Sequence, residues 1–144
     1  MTIQVLHKFE LNENNIARIL ALYKQLNSII VPRPLHQVLQ EDNHVIFMVC
    51  KNDNEEIVGI ALMATYKVVS GFRGLVEDVV VDEAYRGQGI GRKLMENLLE
   101  EAKRKSVDEI LLFTGHHRTA AINLYKSLGF KIRESGVYNL NFRK

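Results

Sequence analysis

Three glycines, Gly87, Gly89 and Gly91, stand between an apolar run and a helical repeat, and that junction narrows the architectures open to this sequence. Before them, Leu75 to Val81 is nearly continuous in apolar residues, broken only by Glu77-Asp78. Such a run predicts a strand covered on both faces and central in its sheet. After them, Ile90, Leu94, Leu98 and Ala102 recur at helical spacing and define one apolar stripe. Glu100 with Arg104 and Glu101 with Lys105 fall four residues apart on the outer side of that helix. The basic run Lys103-Arg104-Lys105 suits the negative end of the helix dipole. Glu109 to Thr114 is a further apolar strand, so the stretch from Leu75 to Thr114 predicts a right-handed parallel strand-helix-strand crossover.

The remainder of the chain does not continue that pattern, and this makes the sheet mixed rather than doubly wound. Ile3 to Lys8 alternates. Asn12 opens a helix carrying Ile16, Ile19, Leu20, Tyr23 and Leu26. Pro32 and Pro34 bracket Arg33 and stop any helix through Ser28 to Leu35, which is expected as a stiff loop leading to a short helix ending near Glu41. His44 to Lys51 and Glu56 to Val69, separated by Asn52-Asp53-Asn54, predict a hairpin. Ser70 to Gly74 is expected to be a second connection. Thr119 to Leu128 predicts a helix stopped by Gly129, and Val137 to Phe142 a last strand with Tyr138, Leu140 and Phe142 on one face.

With 144 residues the chain has room for one core, which leaves no space for separate cofactor and substrate domains. Lys and Arg number 19 against 17 Asp and Glu, a formal charge of +2 that does not predict nucleic-acid binding. The single cysteine, Cys50, has no partner for a disulfide or a C-x-x-C site and points to a reducing compartment. It sits on a predicted strand, where a small core residue and a redox role are both open. The sequence shows neither a leader pattern nor a run of about 18 apolar residues, so the expectation is a cytoplasmic protein with no membrane partner.

The glycine junction exposes backbone amides at the positive end of a helix, while Arg86, Arg92 and Lys93 add local positive charge. A phosphate-bearing ligand fits that site; a tight turn with solvated basic residues is the alternative. Two nucleotide motifs are excluded directly. No glycine is followed by Lys and then Ser or Thr, as a Walker A loop requires. Arg92 stands where a dinucleotide fingerprint needs its third glycine.

What remains is [Q/R]-x-x-G-x-[G/A] between a buried strand and a helix, and here the sequence resembles the GNAT superfamily of acyl-CoA-dependent N-acyltransferases. Arg86, Gly87, Gln88, Gly89, Ile90 and Gly91 match its pyrophosphate loop at every defined position. The resemblance extends to Val76-Glu77-Asp78-Val79-Val80-Val81-Asp82 before the loop and to Ala120 through Phe130 after it. It implies an α/β (α+β) fold with a mixed, mostly antiparallel sheet, a central parallel strand-helix-strand unit and about four helices, forming a single domain over residues 1–144. It also implies acetyl-CoA as co-substrate and a primary amine as acceptor.

On the same resemblance, the backbone of Val79, Val80 and Val81 pairs with the pantetheine arm and an amide there polarises the thioester carbonyl. That is the place for a fixed donor, because amine attack builds negative charge on this oxygen. The loop from Arg86 to Gly91, with Arg92, is implied to hold the pyrophosphate. Tyr125 falls on the family tyrosine that donates a proton to the departing thiolate, although it also belongs to a helical stripe with Ala121, Leu124 and Leu128 and can be a core aromatic. Asn123 is a pantetheine contact on this reading, while many relatives carry the polar residue nearer the helix start, where His117-Arg118-Thr119 stands. Glu77 is the candidate base for the protonated amine. Its alternative is a structural carboxylate, bonded to backbone or paired with Arg73, and strict alternation lets only one of Glu77 and Asp78 face a given cleft. His116 and His117 are adjacent rather than spaced as metal ligands, so no metal is assigned. The acceptor groove would involve Ser28 to Leu35 and Tyr66 to Gly74, and Arg33, Tyr66, Lys67 and Arg73 suit an acidic or phosphorylated acceptor or only a solvated rim. A small-molecule amine is the main expectation. A protein N-terminus or lysine, and a non-catalytic module that keeps the CoA pocket, remain open, as does a homodimer through Val137 to Phe142.

Overall fold

The computed structural model describes residues 1–143. They divide into a larger unit, Met1–Phe113, and a smaller carboxy-terminal unit from Thr114 onward. The larger unit holds one five-stranded sheet in the order β1-β2-β3-β4-β5, formed by Thr2–Val5, Val45–Lys51, Ile57–Val68, Gly71–Val81 and Glu109–Leu112. The first three pairings are antiparallel and only β4–β5 is parallel. Helix α1 (Glu13–Leu26) and the short α2 (Leu35–Val38) lie between β1 and β2, and α3 (Ile90–Arg104) links β4 to β5. With α4 (Thr119–Ser127) in the smaller unit, the described residues give four α-helices and one mixed sheet, the fold class expected from the sequence.

Local chemistry explains the elements that frame the site. Asn12 caps α1 by accepting the Asn15 amide at 2.8 Å, which satisfies one of the helix's orphan donors. From α1, Ile19, Leu22 and Tyr23 bury against Phe47, Val49, Ile60, Leu62 and Val80 of the sheet. The stripe of α3, Ile90, Leu94, Leu98 and Ala102, is buried with Met95. This helix covers the other face and comes close over Gly59, where a Cβ would lie 3.0 Å from Leu94 Cδ1 and 3.2 Å from Ile90 Cγ2. Glycine at this position lets the first turn of α3 sit directly on β3. Cys50 is buried beside it, within 3.7 Å of the same Cβ position, and burial pushes its thiol pKa up. That is the environment of a packed core residue.

Four local expectations are corrected. Gly71 to Gly74 belong to β4, and only Val69 and Ser70 stand between β3 and β4. At Gly74 a Cβ would meet Met63 Sδ at 2.6 Å, so this glycine admits a neighbouring side chain rather than a turn. On α3 the charged pairs form three residues apart, Lys103 with Glu100 at 3.5 Å and Arg104 with Glu101. Lys105 is the C-cap, its amide still bonded to the Glu101 carbonyl at 3.1 Å, while the Glu101 carboxylate is taken by Arg104. Finally, Val137 to Phe142 is not a strand: Tyr138 and Phe142 are 98% and 91% exposed. Alternation describes a strand only where a partner supplies the ladder, and no ladder includes these residues.

Candidate active site

The register of β4 creates the site. Its residues Arg73 to Val76 pair with Glu109 to Leu112 of β5, and the ladder ends there. On its other side β4 remains bonded to β3 through Val80 and Val81, opposite Ile60 and Gly59. Val79, Val80 and Val81 therefore lie on a stretch of β4 that has passed the end of its ladder with β5 and is laddered to β3 alone. A strand edge that no second ladder covers can offer hydrogen-bond donors and acceptors to an extended ligand.

The end of β4 leads along the chain into the glycine loop. Asp82 caps a one-turn 3-10 helix, Glu83–Tyr85, by accepting the Ala84 amide at 3.1 Å. The chain then turns through Arg86 and Gln88, and Gly87 and Gly89 adopt left-handed conformations with φ of 80° and 77°. A Cβ at either glycine would find nothing within 4 Å, so protein contacts do not demand glycine there. The conformation does, and the space in front of the loop stays open for a ligand. Gly89 is the N-cap of α3, with no side chain over the helix end, and the first intrahelical bond runs from the Lys93 amide to Gly89 at 3.1 Å. The Ile90 and Gly91 amides precede it. The first turn carries no acidic residue, while Arg92 and Lys93 are exposed beside it. These features fit a pyrophosphate. Arg86 contributes differently from expectation: its Nε donates to the Val81 carbonyl at 3.0 Å, tying the loop to the end of β4.

Helix α1 anchors the same junction. Arg18 donates from Nε to the Ile57 carbonyl at 3.1 Å and from Nη2 to Asp82 at 3.2 Å. Gln25 accepts the Glu83 amide at 2.9 Å and donates to Asp82. The Ala84 amide holds the Asp82 carboxyl below the usual carboxylate range against the opposing effect of burial, with further help from Gln25 and Arg18.

Glu77 and Asp78 lie where β4 departs from regularity. Ile60 pairs with Val80 and Leu62 with Glu77, so Asp78 and Val79 together oppose Ala61. This is a β-bulge, and Asp78 carries a left-handed φ of 53°. The bulge overturns the expectation that the two carboxylates face opposite ways. Val80 and Leu62 both belong to the cluster under α1, and Glu77 shares Leu62's face across the ladder. Asp78 reaches the same face, where it accepts a 2.9 Å hydrogen bond from the Tyr23 hydroxyl. The Glu77 side chain forms no hydrogen bond or ion pair among the described residues, and Arg73 instead lies 3.7 Å from Glu109. Partial burial, and then the nearby charge of Asp78, raise the Glu77 pKa above the usual range. Asp78 and Tyr23 are the site residues that sequence reasoning missed. Tyr23 reads only as one more position in a helical stripe, although its polar tip requires a partner when buried.

In the smaller unit, Tyr125 lies on α4 and packs edge-on against Phe130, with ring centroids 6.1 Å apart. Ala121, Leu124, Tyr125 and Leu128 are all half-buried, as one stripe should be. Burial raises the Tyr125 pKa, with the Arg118 charge opposing, so the phenol stays protonated at neutral pH. Asn123 is exposed on the same helix, which Gly129 ends with a φ of 100°. His116 and His117 are exposed ahead of it, and no group of three metal-binding side chains converges among the described residues. No helix among those residues is long and apolar enough to cross a membrane.

A β4 strand that loses its parallel neighbour and runs into a glycine loop at a helix terminus fits an extended ligand carrying a phosphate, and sequence comparison identifies the family. The model of the acetyltransferase (GNAT) family matches residues 15–130. The chain belongs to this family. It is 39% identical over 70 residues to N-alpha-acetyltransferase 30 of Saccharomyces cerevisiae, covering 48% of this chain and 40% of that protein. It is 36% identical over 88 residues to glucosamine 6-phosphate N-acetyltransferase of Trypanosoma brucei brucei, covering 59% and 58%. The chain thus spans about half the length of the curated relatives it matches. An aminoglycoside acetyltransferase from an uncultured soil metagenomic sample shares the fold with a TM-score of 0.82 at 20% identity, over 99% of this chain and 96% of that one.

Proposed function

We propose that this protein is an N-acetyltransferase that moves the acetyl group of acetyl-CoA to a primary amine of a small molecule by direct attack on the thioester. The observation that carries this reading is that β4 outruns its ladder with β5 and leads along the chain into a glycine loop at the start of α3. The backbone of Val79, Val80 and Val81 would receive the pantetheine arm. The loop Arg86-Gly87-Gln88-Gly89-Ile90-Gly91, with Arg92, would hold the pyrophosphate. Acetyl-CoA supplies an activated acyl group when bound.

The chain's own residues account for the protons. An amine that arrives protonated must lose a proton before its nitrogen forms the new C–N bond. Glu77, exposed, unpaired and with a raised pKa, is the group proposed to accept that proton, directly or through water. The C–S bond breaks with its electron pair on sulfur, and Tyr125 is proposed to protonate the leaving thiolate, a role the family resemblance assigns and its protonated state at neutral pH supports. Asn123 is proposed as a pantetheine contact. Two carboxylates on one face, Glu77 and Asp78, favour a cationic acceptor. A small-molecule acceptor is in keeping with the similarity to the glucosamine 6-phosphate enzyme. A protein N-terminus is the second reading, favoured by the similarity to N-alpha-acetyltransferase 30 and by the 85% and 81% exposure of Ile29 and Val31 in the loop after α1. Residues 1–144 acting as one domain, a cytoplasmic location and a homodimer through Val137 to Phe142 complete the proposal.

Calorimetric titration of acetyl-CoA tests the cofactor, with Arg86→Glu as control. Micromolar binding that the variant loses is expected; no binding to folded wild-type protein refutes the reading. Release of free CoA is then followed with glucosamine 6-phosphate, methionine sulfoximine and short peptides with free N-termini. Release that stays at the hydrolytic background with every acceptor would favour a binding module that keeps the pocket without the reaction.

A further inference from the structure

The bulge in β4 needs an explanation, because it places an aspartate in a left-handed conformation that side chains other than glycine adopt at a cost. It also sets two carboxylates on one face, where their charges repel. Both costs are offset at a single point. The Tyr23 hydroxyl donates to Asp78 Oδ2 at 2.9 Å from a side chain that is only 7% exposed. The α1 backbone holds that ring among Ile19, Leu22 and Val80, so the hydroxyl's position is fixed.

We propose that Tyr23 is a positioning residue for the acceptor amine: by holding Asp78 in the bulge, it keeps Glu77 and Asp78 side by side on the α1 face as one paired receptor for the ammonium and its proton. The proposal rests on the reading of Glu77 as the base. Within the described residues of the larger unit, the following groups lie around Glu77. Asp78 stands beside it on β4, and Tyr23 comes from α1. On β3 its cross-strand neighbour is the apolar Leu62. Arg18 of α1 is committed to Asp82 and the Ile57 carbonyl, and β5 has ended before reaching this level. Burial, together with the two carboxylates, raises the Tyr23 pKa far above the working range, so its hydroxyl remains a donor throughout. Asp78 is thereby held next to Glu77, where its carboxylate adds to the larger effect of burial in making Glu77 a better proton acceptor.

Carboxyl carbon NMR of protein labelled at Glu and Asp tests this without any acceptor, with the Glu77 signal assigned by its loss in Glu77→Gln. Asp78→Asn keeps an oxygen for the Tyr23 hydroxyl and tolerates the left-handed backbone, but removes the charge. It is expected to lower the Glu77 midpoint by about half a pH unit or more. Tyr23→Phe removes one oxygen and frees Asp78, and is expected to lower the Glu77 midpoint in the same direction. Glu77 titrating as in wild type in Tyr23→Phe, or in Asp78→Asn if the first variant does not fold, overturns the positioning role. The base reading is checked separately by the pH profile of CoA release with glucosamine 6-phosphate or a peptide acceptor. An acid limb unchanged in Glu77→Gln overturns that reading and this proposal with it, whereas a lost limb alongside an unmoved Tyr23→Phe titration overturns the positioning role alone.

Discussion

Replacing Gly89 separates what the glycine loop does for the fold from what it does for a ligand. Gly89 has a φ of 77° and nothing within 4 Å of where a Cβ would stand. An alanine there meets no clash but must hold the left-handed region, at a cost of about 1–2 kcal/mol. Loss of glycine's freedom in the unfolded chain returns about 0.4–1 kcal/mol. The net destabilisation of Gly89→Ala is therefore about 0–1.6 kcal/mol, centred on about 0.8, or up to about 6 °C in Tm for a chain of this size. Asparagine tolerates the left-handed region far better, so Gly89→Asn should melt close to wild type while filling the same space with a larger side chain. If the space is the anion cradle, acetyl-CoA affinity falls at least about 10-fold in both variants, which corresponds to about 1.4 kcal/mol. Differential scanning calorimetry and isothermal titration on the same samples decide the matter. Wild-type affinity in Gly89→Asn would refute the cradle, because it would show that the open volume in front of Gly89 receives nothing.

Further outcomes follow from the same geometry. Gly59→Val should destabilise the protein by about 1–3 kcal/mol, since even a Cβ stands 3.0 Å from Leu94, and it should weaken acetyl-CoA binding by displacing the first turn of α3; thermal melts and titrations check both effects. The Asp82 carboxyl is held below its unfolded value, so its contribution is present above the unfolded pKa and is lost as pH falls through the folded one. Asp82→Asn should accordingly lose stability at neutral pH and approach wild type in acid, as read from urea midpoints across a pH series. Arg18→Met, which unties both the Ile57 carbonyl and Asp82, should raise the acetyl-CoA dissociation constant several-fold while leaving the helical circular dichroism signal intact.

The parts of this molecule that are legible in its sequence are those where one local rule acts alone. Asn12 caps α1 as its residue type predicts, and the stripe from Ile90 to Ala102 is buried along its length. The glycine loop is legible because a left-handed turn before a helix has few chemical solutions. Elsewhere a residue type serves two ends. Gly74 looks like a turn yet makes room for Met63 inside a strand. Val137 to Phe142 alternates like a strand, yet a ladder depends on a neighbour that no local pattern can specify. The bulge at Asp78 is hidden for a related reason. Its backbone conformation and the Tyr23 hydrogen bond link positions far apart in sequence, so counting along β4 alone assigns Asp78 to the wrong face.

These departures from regularity converge on one strand. Up to Val76, β4 is held on both sides, and beyond it by β3 alone. A strand bonded on one side has backbone groups to offer a ligand on the other, but it also loses the ladder that would keep it straight. The bulge falls at the level where the second ladder ends, and α1 supplies the missing restraint: Tyr23 fixes Asp78, while Arg18 and Gln25 fix Asp82 and the amide of Glu83. One helix thus takes over from β5 the task of positioning β4, and it does so with side-chain hydrogen bonds on one face, leaving the edge toward β5 open. Disrupting α1 should therefore affect ligand binding before it affects the sheet, because the contacts it makes at Asp78 and Asp82 belong to the part of β4 that the sheet itself holds least.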